Sequence, residues 1–382
     1  MRSSILIFLI SCSVIGLARD KDTVPLKDKV SAPVPPTQQP SNDVAGVPAQ
    51  PYIASIEAYG SSRINERVIR QTLGEEFEEW LKRGLAGDPA SPQLEAKLVK
   101  KLKDKFGFAS ADWTIVQYFQ PGDLAIHMTL DVVEKEDVAK RLPFLPKPAE
   151  EFKDPDNLIK QWFEYEDTAL SLVESGGLEP DTVECLAFHC PFGHKHEKLK
   201  KYEKIFVEGV KKNEKALIEI QTKDKRADFR AGACYLLAYL TDGKKVVSLM
   251  VDRIKDPDEM VRNNALRVLG DISEFHAELI IPARPVIEAF KFPRVSDRSK
   301  ATYIAYMLAS NSQEARTEIM KSAIPDLLQI LSSKQPDHRD TAHAILRKVS
   351  GKDFSATDVR SWKKWHAKLT ESDLVRKSTV GP

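Results

Sequence analysis

The chain has 382 residues, of which 42% are hydrophobic and 30% are charged. Its length suits two or three domains, and its hydrophobic content is sufficient for buried cores, which excludes a chain that is disordered throughout. Basic and acidic residues number 57 and 56, which gives a formal net charge of +1. Because balanced charge provides no general attraction to nucleic acid or to an anionic membrane, we expect no nucleic-acid partner.

The first 18 residues are typical of an export signal. One basic residue precedes a mostly apolar run over residues 5–15, and Gly16-Leu17-Ala18 places small residues where a signal peptidase cleaves. The run is shorter than the roughly 20 residues of a transmembrane helix. Within it, Leu9-Ile10-Ser11-Cys12 resembles a lipobox, which would make Cys12 the lipidated start of a lipoprotein. We therefore expect a periplasmic or secreted protein, with cleavage after residue 18 favoured and a membrane anchor at Cys12 as the alternative.

Residues 19–51 are rich in proline and have no apolar period. This composition favours an extended, semi-rigid chain and not a packed core. We therefore predict a linker over residues 19–51 that holds the folded part away from the signal.

A different pattern occupies residues 52–136. A short strand ends at Gly60, and two amphipathic helices follow, the first through residues 64–81. Residues 124–132 then alternate apolar and polar side chains, and a strand through Trp113 precedes them. We expect an α+β module of order β-α-α-β-β with a one-sided sheet, whose polar side chains His127, Thr129 and Asp131 face away from the helices.

Several segments of this module resemble a POTRA domain, a repeat of envelope assembly and secretion proteins. The resemblance rests on residues 53–60, 68–74, 98–108 and 124–134. Residues 75–92 form a longer connection than this family has between its two helices. The resemblance implies a module that docks another protein, for example by addition of a strand to its sheet edge.

Four prolines, Pro143, Pro146, Pro148 and Pro155, interrupt the pattern after this module. They indicate a second linker over residues 137–155. Residues 156–368 read as helical, and we expect residues 369–382 to form a flexible tail.

The helical part contains four segments that align with one another. Each has an arginine, an alanine three residues later, an aliphatic residue six later, and a further aliphatic residue ten later. Small alanines allow two helices to cross closely, and the aliphatic residues fill the space between layers. The segments begin at Arg230, Arg262, Arg298 and Arg339, and their alanines are Ala233, Ala265, Ala301 and Ala342.

The second of these segments resembles the HEAT-like repeat consensus. It reads Asp256-Pro257-Asp258-Glu259-Met260-Val261-Arg262-Asn263-Asn264-Ala265, with Leu269-Gly270 after it. The resemblance implies an α-solenoid whose concave face binds other macromolecules. In a scaffold of this kind we expect the repeated arginines to join neighbouring repeats. We expect Trp362 and Trp365 to cap the open end of the last repeat, with an aromatic peptide-binding patch as the alternative.

One cluster of potential metal ligands stands apart in the segment from Cys185 to His196. Cys185 and His189 have the i, i+4 spacing that can share a metal ion, and histidines follow across a Gly turn. Three interpretations stay open: a zinc site, a disulfide between the two cysteines, or ordinary packing. The candidate ligands are Cys185, His189, Cys190, His194 and His196. The remaining cysteine, Cys234, fits a core position.

The chain has no nucleophile elbow, Walker loop, dinucleotide fingerprint or zinc-protease motif. We therefore predict a protein that is not an enzyme and needs no cofactor. The expected fold is a small α+β module followed by an all-α HEAT-like solenoid, and the expected function is an exported scaffold or adaptor that binds envelope or secreted proteins. A zinc protein built on the Cys185–His196 segment and an accessory subunit for the maturation of an enzyme are the alternatives.

Overall fold

The computed structural model describes residues 50–120, 123–178 and 186–369. The contact pattern divides the chain after Ala49 and places everything from Gln50 onward in one compact unit. The signal at residues 1–18, nearly all of the first linker, and all of the C-terminal tail except its first residue lie outside the described residues. The same holds for two cysteines that carried predictions, Cys12 and Cys185.

Three strands form a mixed sheet in the N-terminal part of this unit. They are β1 (Gln50–Tyr59), β2 (Ser110–Gln120) and β3 (Asp123–Val133), in the spatial order β1-β3-β2. β3 is antiparallel to β2 and parallel to β1. The alternating pattern of β3 and its pairing with the strand through Trp113 are confirmed, and the overall α+β class is confirmed as well.

One face of the sheet packs against three helices, α1 (Glu66–Leu73), α2 (Glu75–Leu85) and α3 (Ser91–Phe106). The prediction of a single helix over residues 64–81 is wrong, because Gly74 has a positive φ of 59° and ends α1. Such a backbone conformation suits glycine, which has no Cβ to clash. The core between sheet and helices includes Ile56, Phe77, Trp80, Leu98, Trp113, Met128 and Leu130. We call residues 50–134 the sheet module.

The helical region, residues 155–369, has its own core. Its helices are α5 (Leu158–Glu174), α6 (Glu197–Lys223), α7 (Ala227–Leu237), α8 (Gly243–Arg253), α9 (Glu259–Phe275), α10 (Ala283–Glu288), α11 (Val295–Asn311), α12 (Gln313–Ser322), α13 (Ile324–Leu331), α14 (Pro336–Ser350) and α15 (Val359–His366); the short α4 (Val138–Arg141) precedes them. Short 3-10 helices occupy Lys135–Asp137, Pro155–Asn157 and Ala289–Lys291.

The four aligned segments form equivalent helices. α7 packs on α9, α9 on α11, and α11 on α14, and each aligned arginine is the fourth residue of its helix. The predicted burial of the alanines is confirmed, because Ala233, Ala265, Ala301 and Ala342 are completely buried. At the end of this row Trp362 and Trp365 are also buried, which fits a cap and not an exposed aromatic patch.

Buried arginines connect successive helices in this row. Arg230 donates from Nη1 to the backbone carbonyl of Asp224 at 2.8 Å, and its Nη2 lies 2.7 Å from Oδ1 of Asp256. Arg262 repeats the arrangement: it donates to the carbonyl of Asp256 at 3.0 Å and binds Asp297 through Nε at 2.9 Å. Arg230 and Arg262 thus each join their own helix to the next aligned helix, as expected, whereas Arg339 pairs with Asp340 of its own helix.

The third arginine breaks this rule in an informative way. Arg298 donates to the carbonyl of Phe292 at 2.8 Å, as its equivalents do, but its carboxylate partner is Asp131 of β3, at 2.7 Å. Both side chains are 1% exposed. For Arg230 and Arg262 this carboxylate comes from the next aligned segment of the helical region. For Arg298 the sheet module supplies it instead.

The polar face of the sheet is consequently buried. Thr129 accepts a hydrogen bond from Gln335 at 2.8 Å, and Glu57 accepts one from the Ser333 hydroxyl at 2.6 Å. The prediction of a one-sided sheet is wrong, because His127, Thr129 and Asp131 lie against the helical region and are at most 9% exposed.

Residues 142–154, most of the predicted second linker, run along the starts of the aligned helices. Leu145 donates its N–H to the carbonyl of Lys255 at 2.8 Å, just before α9. Phe152 donates its N–H to the carboxylate of Asp224 at 3.0 Å, just before α7. Phe144 lies under the guanidinium of Arg262, 4.1 Å from the ring centre. We call residues 142–154 the strap.

Candidate functional site

The predicted metal ligands do not converge in the described part of the chain. Cys185 lies outside it, while His189, Cys190 and His194 are buried and His196 is partly exposed. Among the described residues, no group of three or more His, Cys, Asp or Glu side chains is placed to hold a metal ion. Because Cys185 is not described, the zinc site stays a prediction.

His194 has a structural environment. Its Nε2 accepts a hydrogen bond from the hydroxyl of Tyr239 at 2.6 Å, and its Nδ1 donates to the carbonyl of Leu199 at 3.3 Å. Burial lowers its pKa, so the ring is neutral at pH 7. With both nitrogens in use, His194 holds the start of α6 against Tyr239, which follows α7.

Cys190 and His196 also have local partners. Cys190 Sγ lies 3.6 Å from the hydroxyl of Tyr239, and Cys190 is disulfide-bonded. His196 accepts the backbone N–H of Lys198 at 3.2 Å and so caps α6. These contacts favour the disulfide interpretation for Cys190 and the packing interpretation for His196.

His189 differs from the other histidines. Its Nδ1 lies 2.6 Å from Oδ2 of Asp271, and its ring stacks on Tyr235 with centres 4.9 Å apart and planes at 19°. The Nε2 atom is buried and has no hydrogen-bond partner among the residues that the structure describes. A buried polar atom without a partner costs free energy, and a ligand, a water molecule or an ion can satisfy it.

His189 belongs to a larger set of polar side chains on the stacked helices. α5 contributes Glu166, α7 contributes Tyr235, α9 contributes Arg267 and Asp271, and α11 contributes Lys300 and Tyr303. Except for the buried Tyr235 and His189, these side chains are partly buried. We call them the polar cluster: Glu166, His189, Tyr235, Arg267, Asp271, Lys300 and Tyr303.

Helical spacing explains how the cluster forms. Arg267 and Asp271 are one turn apart on α9, so they lie on the same side of that helix. Tyr235, Arg267 and Tyr303 each come five residues after the aligned arginine of their helix, so they occupy equivalent positions in the row. Packing of α7, α9 and α11 side by side brings these positions together.

The environment of the cluster disfavours charge. Burial and, to a smaller extent, the neighbouring Arg267 lower the pKa of Lys300 to about 7, while Asp297 opposes them. Burial and the neighbouring Asp167 raise the pKa of Glu166, and Arg267 opposes them. Both pKa shifts indicate that the charged forms of Lys300 and Glu166 have no oppositely charged group close enough to offset their burial.

Arg267 and Lys300 have neither an ion pair nor a hydrogen bond within the described residues. This contrasts with Arg262 and Arg298 on the same two helices, whose guanidinium groups are paired with carboxylates. The arrangement can therefore bind a polar or anionic group of another molecule.

Sequence reasoning found only one member of the cluster, His189. Charged residues on helices look like ordinary solvated positions, so Arg267, Asp271 and Lys300 gave no signal by themselves. The available signal was the repeat alignment, which places polar or aromatic residues at the fifth position after the aligned arginine in three of the four segments.

A second surface lies at the edge of the sheet. β2 pairs with β3 on one side, and among the described residues its other side forms no backbone hydrogen bonds with another segment. Ile115 is 47% exposed near the middle of this strand. An open edge of this kind can accept a strand from a partner.

Comparison with known proteins adds no assignment to these surfaces. No protein-family model matches the sequence, and no curated protein matches it. Within the described ranges, no helix is long and apolar enough to cross a membrane.

Proposed function

We propose that this protein is an exported, non-catalytic scaffold that binds other proteins through a HEAT-like solenoid and a POTRA-like module. The partners are envelope or secreted proteins. The solenoid is formed by the helical region, and the POTRA-like module is the sheet module.

The observation that carries this proposal is the buried junction between the two parts. Arg298 with Asp131, and Gln335 with Thr129, hold the polar face of the sheet on the helical region. The junction leaves two other surfaces accessible, the polar cluster and the open edge of β2. A scaffold needs such a fixed relation between its binding surfaces, because it holds two partners in a defined geometry.

The proposal is tested by photo-crosslinking of the full-length chain in cells. A photoreactive phenylalanine derivative replaces Tyr303 in the polar cluster in one variant and Ile115 on β2 in another. Lys244, which is exposed on α8, is the control position. We expect one defined protein to be captured from position 303 or from position 115 and not from position 244.

Mass spectrometry identifies the captured protein. Absence of any defined product from both Tyr303 and Ile115, with full-length protein present and folded, contradicts the scaffold function. Capture from only one position limits binding to that surface.

A further inference from the structure

We propose that Arg267 and Lys300 form a carboxylate-binding pair that recognises an acidic segment of the partner protein. This inference rests on the proposed function and specifies the chemistry of one of its surfaces. The occupant is a protein segment that contains glutamate or aspartate.

The first argument is the position of the two cations. Arg267 on α9 and Lys300 on α11 belong to helices that pack directly on one another, and both side chains are partly buried. Burial and, to a smaller extent, the charge of Arg267 lower the pKa of Lys300, while Asp297 opposes them. Two cations on directly packed helices repel each other, and an anion that binds to both removes that repulsion.

The second argument is that the neighbouring carboxylates do not pair with these cations. Asp271 is bound to His189 at 2.6 Å, and Asp297 is bound to Arg262 at 2.9 Å. Glu166, Asp167 and Glu274 are the other acids near the cluster. Glu166 has a raised pKa and no ion pair with Arg267. Glu274 accepts a hydrogen bond from the hydroxyl of Tyr303.

The third argument is chemical. A guanidinium can bind both oxygens of a carboxylate, and an ammonium group adds a point charge beside them. A bound carboxylate also favours the charged form of Lys300, so binding raises its pKa. The neutral fraction of this amine therefore reports on whether the pair is occupied.

The test uses the full exported chain and a synthetic peptide of six glutamates, with six lysines as the control peptide. Binding is measured by fluorescence anisotropy for the native protein and for the variants Arg267→Gln, Lys300→Met and Lys244→Met. Because truncation of one partner of a desolvated charge pair leaves the other partner uncompensated, we expect Arg267→Gln and Lys300→Met each to weaken binding by at least about thirtyfold. Lys244→Met is expected to bind as the native protein does.

A second readout keeps the test independent of folding defects in the variants. The native protein is acetylated briefly at pH 7, and the modification of Lys300 relative to Lys244 is measured by mass spectrometry. We expect the glutamate peptide to slow acetylation of Lys300 and not of Lys244, while the lysine peptide changes neither.

The proposal is overturned if the glutamate peptide does not bind, if all variants bind it equally, or if acetylation of Lys300 is unchanged. Such a result leaves the scaffold function intact when crosslinking from Tyr303 still captures a partner. Absence of a crosslinked partner from both Tyr303 and Ile115, together with retained peptide binding, contradicts the scaffold function alone.

Discussion

Buried arginines determine much of the local chemistry of this protein. Arg230, Arg262 and Arg298 each have a backbone carbonyl of their own helical segment and a carboxylate from elsewhere as partners. Removal of a charge from water is costly. Each guanidinium can therefore be buried only because these partners compensate its charge. Arg298 also lies 3.8 Å above the ring centre of Tyr59, whose pKa burial raises to about 12.

We predict that Asp131→Asn destabilises the protein strongly, because it leaves the charge of Arg298 buried without compensation. The expected loss is about 3–5 kcal/mol in the free energy of unfolding, measured by urea denaturation at pH 7. Burial raises the pKa of Asp131 to about 6 against the opposing effect of Arg298, so the carboxylate is mostly ionised at that pH. The exposed Asp252→Asn is the matched control and should change stability little.

A double variant shows whether charge is the reason for this loss. Asp131→Leu combined with Arg298→Met replaces the pair by apolar side chains and should recover most of the stability. A loss for Asp131→Asn no larger than for Asp252→Asn would show that the Arg298 pair does not hold the junction.

His338 leads to a prediction about pH. It is 3% exposed, its Nε2 donates to the carbonyl of Val295 at 3.0 Å, and burial together with Arg298 lowers its pKa to about 3. Below pH 6.5 the unfolded chain takes up a proton at this histidine that the folded chain does not. His338 therefore destabilises the folded state increasingly as the pH falls from 6.5 towards 3.

We predict that His338→Gln becomes more stable relative to the native protein as the pH is lowered. Between pH 7 and pH 5 the difference in unfolding free energy should change by about 2 kcal/mol in favour of the variant. Urea denaturation of both proteins at the two pH values measures it, and the opposite trend of Asp131 cancels because both chains contain it. An unchanged difference would mean that His338 is charged in the folded protein.

At the scale of single elements, the strap provides the most specific expectation. Its hydrogen bonds to Lys255 and Asp224 hold it across the starts of α9 and α7. Asp224 is completely buried and also binds Arg226, so its carboxylate is the principal anchor at this end.

We predict that Asp224→Ala releases the end of the strap. Hydrogen exchange followed by mass spectrometry should show faster deuterium uptake in residues 145–152, with little change in β2 and β3. Asp228→Ala, which removes an exposed carboxylate from the first turn of α7, is the control. Unchanged uptake in residues 145–152 would show that other contacts hold the strap.

The elements also show what a sequence can and cannot specify. The spacing of Arg262, Ala265 and Val268 predicted an amphipathic helix and its buried side correctly, because close helix packing requires small and aliphatic residues at fixed intervals. The break at Gly74 was missed because apolar periodicity continues on both sides of it. The polar face of the sheet was misassigned because burial of Thr129 and Asp131 depends on partners far away in the chain.

The candidate site was less predictable than the fold, for the same reason. His189 was identified from its spacing, but its partners Asp271 and Tyr235 come from helices that are distant in sequence. The unpaired state of a charged side chain marks it as a candidate binding residue. Only the structure shows whether such a side chain has a partner.

At the scale of the whole molecule, the sheet module and the helical region form one compact unit. Contacts from each of the three strands support this: Asp131 with Arg298, Glu57 with Ser333, and Asp112 with Arg294. Much of this contact is polar and desolvated, so it depends on accurate geometry and not on apolar area alone. The scaffold function requires this junction, because it fixes the distance between the two proposed binding surfaces.

Pulsed electron paramagnetic resonance tests the junction most directly, because it measures the distance between a label on the sheet module and a label on the helical region. Spin labels are placed at exposed Lys82 on α2 and exposed Lys244 on α8, through non-natural amino acids that leave the cysteines unchanged. We predict a single narrow distance distribution for the native chain and a broader one for Asp131→Asn. A broad distribution in the native chain would contradict the claim that the sheet module and the helical region form one unit.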